Sequence, residues 1–438
     1  MSVISVAPTP AQTFANLLSF GGSNGANPGA SLIQGTDGNL YGTTGAGGAN
    51  GNGTIFKITT SGQLTTLDSF CAETNCAGGP GMLIQATNGN FYGTTGAGGT
   101  GSCIDVQGVV VGCGTIFRLT AAGKLTTIHN FVGTDGNEPF RPLVEAANGV
   151  FYGVTYGGGT GSCFDPLPGC GTVFKITASG VLTTMHNFTG TEGVNPYAGL
   201  VYATNGELYG TTVNGGVNNM FGGTVFKISP TGTFTTIYSF CAQANCVDGA
   251  GPNALLQATN GSLYGTAFSG GANNKGTVFR ITPGGSLKTL ASFAGSNGEL
   301  PEGLTEGTDG ALYGTTDLGG ANGYGAVFKA ALNGTLTVLH SLAEADGTYP
   351  MAGLLQSTNG TFYGTTNTGG TGEGTIFSIS VGLAPFVVAE PTSGKTGAVI
   401  KILGTNLSGT TAVSFNGTAA GFNVFSASEI EAFVPSGA

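Results

Sequence analysis

Tryptophan is absent from the 438 residues, and charge is scarce. There are 12 Lys and Arg against 22 Asp and Glu, a formal net charge of -10. A nucleic-acid partner needs a basic footprint, so this balance argues against one. No apolar run reaches the roughly 18 residues that a membrane-spanning helix requires. Long stretches of 3.6-residue hydrophobic periodicity are also missing, which removes an all-helical fold. The first twelve residues, Met1 to Gln12, lack the basic and apolar regions of a secretory leader. The expectation is that a leader preceded residue 1 or that the chain was trimmed.

Glycine is abundant instead, with 83 residues. It follows no Gly-X-Y period, so collagen is excluded. Apolar residues make up 40%. They fall in short runs rich in Thr, Ile, Val, Phe and Tyr, which suit strands and a packed core.

One stretch recurs. Leu40-Tyr41-Gly42-Thr43-Thr44 returns around Tyr92, Tyr152, Tyr209, Tyr264, Tyr313 and Tyr363, giving seven copies 49 to 60 residues apart. Such a period marks a repeat architecture. In the first copy, Ser31 to Thr36 reads as strand A, Asp37-Gly38 as a hairpin turn and Asn39 to Gly45 as strand B. Gly53 to Thr59 reads as strand C and Gln63 to Phe70 as strand D. A proline opens each strand A, from Pro28 to Pro350, where no ladder donor is required. The seventh copy ends after its strand C near Ser380, whereas Thr13 to Phe20 is a strand D with nothing before it. The two ends complement each other and predict a closed ring, which removes a free sheet edge. The fold reading is all-β: a seven-bladed β-propeller over residues 13–381, after an extension over 1–12.

The Leu-Tyr-Gly-Thr-Thr stretch, the Gly-Gly loop and Gly53-Thr54-Ile55-Phe56-Lys57-Ile58-Thr59 resemble the GloVer (Gloeo/Verruco) repeat of secreted bacterial proteins. That resemblance implies a propeller-like fold and a surface or secreted location, and it brings no catalytic residues. Past Ser380 the composition shifts. Glu390-Pro391-Thr392-Ser393-Gly394, Val399 to Leu407 and Val413-Ser414-Phe415-Asn416-Gly417 resemble an IPT/TIG module. The implied fold for 382–438 is a partial Ig-like β-sandwich, with Val381 to Phe386 as linker. About five strand-like runs are too few for a complete sandwich. The module is expected to be cut short or completed by a strand from another chain, for which Ser2 to Ala7 is the candidate donor.

The eight cysteines form four close pairs: Cys71/Cys76, Cys103/Cys113, Cys163/Cys170 and Cys241/Cys246. Their spacings do not match zinc knuckles, so local disulfides and an oxidising, extracellular or cell-surface location are expected. All four lie in B–C or D–A loops, on the face where loop length varies. Function is expected there. The D–A loops also carry Asp135, Glu192, Asp248 and Asp346, candidates for a Ca2+ site around the channel mouth. Plain turn chemistry is the rival reading.

His129, His186 and His340 share one strand D slot. Equivalent slots on different blades are not expected to converge, so no histidine cluster is expected. Lys57, Arg118, Lys175, Lys227, Arg280 and Lys329 recur once per blade and read as architecture. No carboxylate has a His, Tyr or Arg recurring beside it, and Arg141 stands alone. Sialidase-like Asp boxes need a tryptophan. Neither a catalytic set nor a cofactor is indicated. The expected function is non-enzymatic binding or structure at the cell surface. The partner would be a protein, a glycan or further copies of the chain, with no nucleic acid and no membrane span. The rival is a polysaccharide-active enzyme, a glycosidase or lyase, using carboxylates of the elaborated face.

Overall fold

A computed structural model describes residues 12–70, 78–104, 109–146, 149–163, 169–390 and 395–437. The repeat folds as four antiparallel strands. In the first copy they are Ile33–Gln34, Leu40–Thr44, Thr54–Ile58 and Leu64–Ser69, paired in chain order. Five further sheets keep the A-B-C-D order, the fourth with its strand A in two pieces, Val194–Pro196 and Val201–Tyr202. The seventh is built from Leu355–Gln356, Phe362–Thr366 and Thr375–Ser380, and Thr13–Ser19 pairs antiparallel to Thr375–Ser380 as its fourth strand.

Each residue of the recurring stretch has a task. Gly42 lies opposite Phe56 of strand C. A Cβ there would sit 2.6 Å from the Phe56 ring, and on Gly93 it would sit 2.4 Å from Phe117. Only glycine lets the strand C phenylalanine lie across strand B. The tyrosine reaches outward to the next sheet. Tyr92 packs with its ring centre 4.3 Å from that of Phe151, as Tyr41 does at 4.4 Å from Phe91. Its buried hydroxyl is held by the A–B turn: the Asn88 amide donates to Tyr92 at 3.0 Å, and Tyr41 donates to Asp37 at 2.9 Å.

The first threonine ties neighbouring sheets. Thr43 donates to the Gly81 carbonyl (2.9 Å), Thr315 to Ala352 (2.8 Å) and Thr365 of the seventh sheet to Ala30 beside the first (3.0 Å). The second threonine pairs with the threonine that opens strand C, as Thr44 does with Thr54 and Thr95 with Thr115, both at 2.9 Å. In the fifth sheet Ala267 occupies the strand B position, and the buried Thr277 hydroxyl has no partner. Ala267→Thr should restore the pair and stabilise the chain by about 1 kcal/mol, read as a higher denaturant midpoint. An unchanged or lower midpoint would refute the role given to this pair.

The core is divided among seven clusters, each shared by adjacent sheets. The last returns to the start: Phe20, Tyr363 and Ile376 of the seventh sheet pack with Leu32, Leu40 and Phe56 of the first. The arrangement is all-β and propeller-like.

Beyond it, Val388–Glu390, Val399–Leu403, Glu429–Phe433 and Phe422–Val424 form one sheet in that order, beside a hairpin of Val413–Phe415 and Thr418–Ala420. Ser428 donates to the Thr36 carbonyl (2.9 Å), and Thr405 bonds Thr358 (2.8 Å). These partners are in A–B turns, so the C-terminal unit contacts the plain face beside the first and seventh sheets. The candidate donor strand, Ser2 to Ala7, lies outside the described residues.

Candidate functional site

Three of the four cysteine pairs are disulfides: Cys103–Cys113, Cys163–Cys170 and Cys241–Cys246. Cys71 and Cys76 lie outside the described residues. The bonded pairs staple loops of the varied face.

The four loop carboxylates are each occupied within their own sheet. Asp135 bonds His129 at 2.9 Å, Glu192 bonds His186 at 3.0 Å and Asp346 bonds His340 at 2.9 Å. Asp248 accepts from the Tyr238 hydroxyl at 2.8 Å. Each also accepts a loop amide, such as Val132 on Asp135 or Ala343 on Asp346. His129, His186, Tyr238 and His340 are on strand D, the end of each sheet opposite strand A. The carboxylates are therefore anchored to strand D, at the end of each sheet away from strand A. Among the described residues no three metal-binding side chains come together. Burial pushes the Asp135 carboxyl up, but the bonds from His129 and the Val132 amide outweigh it and hold it below the ordinary value. His186 is held below the ordinary histidine value by burial, against the pull of Glu192. No His, Tyr or Arg recurs directly beside these acids in sequence, but a histidine six residues ahead of Asp135, Glu192 and Asp346 meets each of them across the turn.

Convergence occurs at the other end of the sheets. The residues just after each strand A proline face a common space. On the loop side this space is a vestibule of about 380 Å³, bordered by Asn27, Gly29 and Asn367. Deeper lies a cavity of about 350 Å³, to which strand A segments of all seven sheets contribute. Arg141, Tyr197, Met82 and Met351 line both. Equivalent slots thus do converge when they belong to strand A, contrary to the expectation drawn for strand D.

Arg141 does not stand alone. Its guanidinium lies 3.4 Å from the centre of the Tyr197 ring and 4.8 Å from that of Phe140, a cation–π geometry. Its Nε is buried without a hydrogen-bond partner. No carboxylate of the described residues lies within ion-pair distance of it. Phe140, Tyr156, Tyr197 and Phe268 make an aromatic wall with ring separations of 5.3 to 6.4 Å.

Glu302 faces the cavity from the sixth sheet and is only 5% exposed. The Asn253 amide donates to it at 3.2 Å and to the Pro301 carbonyl at 2.8 Å, and Thr266 holds the Asn253 oxygen at 2.8 Å. Burial pushes the Glu302 carboxyl up to about 8; Arg141 opposes the shift, Asp317 adds to it and the Asn253 bond opposes it. Asp317, at the end of the sixth strand B, is raised by burial and has a buried oxygen without a partner. A protonated, buried carboxyl can donate a hydrogen bond or deliver a proton near neutral pH. The sequence signal was a break in the repeat. The residue after the proline is Gly29 and Gly81 in the first two copies, then Phe140 (with Arg141), Tyr197, Asn253, Glu302 and Met351.

Segments 3–163, 104–246 and 242–425 match the family model of the Gloeobacter/Verrucomicrobia repeat. No curated protein matches the chain. Among solved structures it is similar to virginiamycin B lyase from Staphylococcus aureus, at 15% identity and a TM-score of 0.55, covering 84% of this chain and 99% of that one. It is also similar to the extracellular domain assigned to a hybrid two-component system of B. thetaiotaomicron, at 11% identity and a TM-score of 0.57. That match covers 95% of this chain and 48% of the other, so the chain spans about half of that domain's length. At these identities the likeness concerns the fold alone. No helix among the described residues is long and apolar enough to cross a membrane.

Proposed function

The chain belongs to the Gloeobacter/Verrucomicrobia repeat family, and from that premise we propose an extracellular seven-bladed β-propeller that binds a ligand in its central channel. Its N-terminal strand closes the ring, and an Ig-like, IPT/TIG-type module follows. The three disulfides support the extracellular placement. The carrying observation is that the repeat diversifies at one slot, and that slot converges on one cavity holding Arg141, Tyr197, Asn253 and Glu302. Binding without turnover is the primary reading, with a surface glycan as the partner class rather than a protein or another copy of the chain. The raised Glu302 carboxyl favours one second reading, a polysaccharide-active enzyme with Glu302 as the proton donor.

A panel of soluble polysaccharides separates the two. Binding and release of reducing ends would be measured with the whole chain and with Gly29→Trp. Gly29 borders the vestibule, and a Cβ there meets nothing closer than 3.6 Å, so the bulky side chain projects into open space. Saturable binding without product, lost on Gly29→Trp, is expected. Product release abolished by Glu302→Gln would replace the binding reading with the enzymatic one. Binding that survives the plug but fails on Asp135→Asn would move the site to the loop face.

A further inference from the structure

We propose that the channel takes a sugar acid whose carboxylate is held by Arg141, an assignment that rests on the channel-binding reading above. The vestibule and the cavity have two charged lining residues between them, Arg141 and Glu302. Near neutral pH Glu302 keeps its proton. Arg141 is then the uncompensated charge in the channel, in a chain whose net charge is -10. Its position 3.4 Å over the Tyr197 ring centre holds the guanidinium in place, with its Nε buried on the protein side. A guanidinium held in place with no carboxylate of the described residues on it suits a planar carboxylate, which can accept two parallel bonds. A doubly charged phosphate is less well matched, because no second Lys, Arg or His lines either space.

The remaining groups suit hydroxyls. Glu302 offers a proton near neutral pH, and Asn27 and Asn367 border the vestibule. Gly29 leaves its part of the vestibule without a side chain, which makes room for a ring in the space that Phe140 and Tyr197 also line. Combined space of this size accommodates a sugar ring or two.

The pH behaviour follows from the same geometry. Facing Glu302 are Asn253 of the fifth sheet, Arg141 of the third and Asp317 of its own sheet, with Tyr197 beside Arg141. Once Glu302 ionises it competes with the ligand carboxylate for Arg141 and repels it.

The test is calorimetric titration of the whole chain with D-galacturonate, D-galactose and inorganic phosphate, at about pH 6.5 and about pH 9, either side of the Glu302 transition. Galacturonate should bind at the lower pH, with galactose and phosphate weaker by about tenfold or more. Arg141→Gln should cost about 10- to 100-fold, the loss of a charge-assisted bond, with its melting point recorded to show that it folds. Wild-type affinity should fall by about tenfold at the higher pH, whereas Glu302→Gln, neutral throughout, should lose that pH dependence whatever its affinity at the lower pH. Galactose equal to galacturonate, or indifference to Arg141→Gln, overturns the sugar-acid assignment; if that binding is still lost on Gly29→Trp, the channel reading stands. Tighter phosphate binding, or no binding of any of the three, also overturns the assignment. Binding indifferent to both Gly29→Trp and Arg141→Gln sinks the channel reading itself.

Discussion

Deleting residues 1–20 should destabilise the chain more than any single substitution in it. Thr13–Ser19 supplies the last strand of the seventh sheet, and without it Thr375–Ser380 becomes an unpaired edge. Phe20 is fully buried, 5.5 Å from the Phe56 ring of the first sheet, in the cluster that joins the two ends. Phe14 stacks 3.8 Å from His340 of the sixth sheet and 5.2 Å from Phe377. Phe20→Ala alone should cost about 3–5 kcal/mol, since it removes a large ring from a core that cannot fully collapse. Deletion adds the loss of the strand ladder. The expected signs are a large fall in melting temperature and fast hydrogen exchange in Thr375–Ser380. An unchanged melting temperature would show that the chain does not close through its N-terminus.

The second large effect is on the pH dependence of stability. The Glu302 carboxyl sits at about 8 in the folded chain, above its ordinary 4.5. A carboxyl raised on folding contributes stability that is fully present below its unfolded value and is lost as pH rises through the folded one. Wild-type stability should therefore fall progressively from about pH 4.5 to about pH 8 through this group, by on the order of a few kcal/mol. Glu302→Gln cannot ionise and should flatten that part of the curve, leaving the variant more stable than wild type at about pH 9. Glu138 and Glu390 are also raised by burial and shape both curves alike. Melting temperatures across this range decide the matter, and parallel curves would contradict a buried, proton-holding Glu302.

Much of the fold was legible because the repeat states its own rules. The tyrosine, glycine and two threonines recur together because each serves a contact that every sheet must make. The site was harder to find, for two physical reasons. Arg141 and Glu302 are 161 positions apart (302 − 141) and meet only because strand A of every sheet faces one space. A rule that equivalent slots do not converge suits His129 and His186 on outer strands and fails for Tyr197 and Asn253 on inner ones. The second reason is that uniformity drew attention to the wrong acids. Asp135, Glu192 and Asp346 recur because they fasten a loop to a strand D histidine, whereas Glu302 stands in one copy alone at the slot after the strand A proline. A histidine six residues before Asp135, Glu192 and Asp346 was visible in the sequence and marks that local fastening.

The most direct test of a shared channel is the titration of Glu302 itself, followed by NMR of carboxyl-labelled glutamate in the wild-type chain and in Arg141→Gln. Arg141 of the third sheet pulls the Glu302 carboxyl down across the cavity. Its removal should therefore move the Glu302 transition upward from about 8. A transition that stays where it was, or lies in the ordinary carboxylate range in both proteins, would contradict the convergence of the third and sixth sheets on one site.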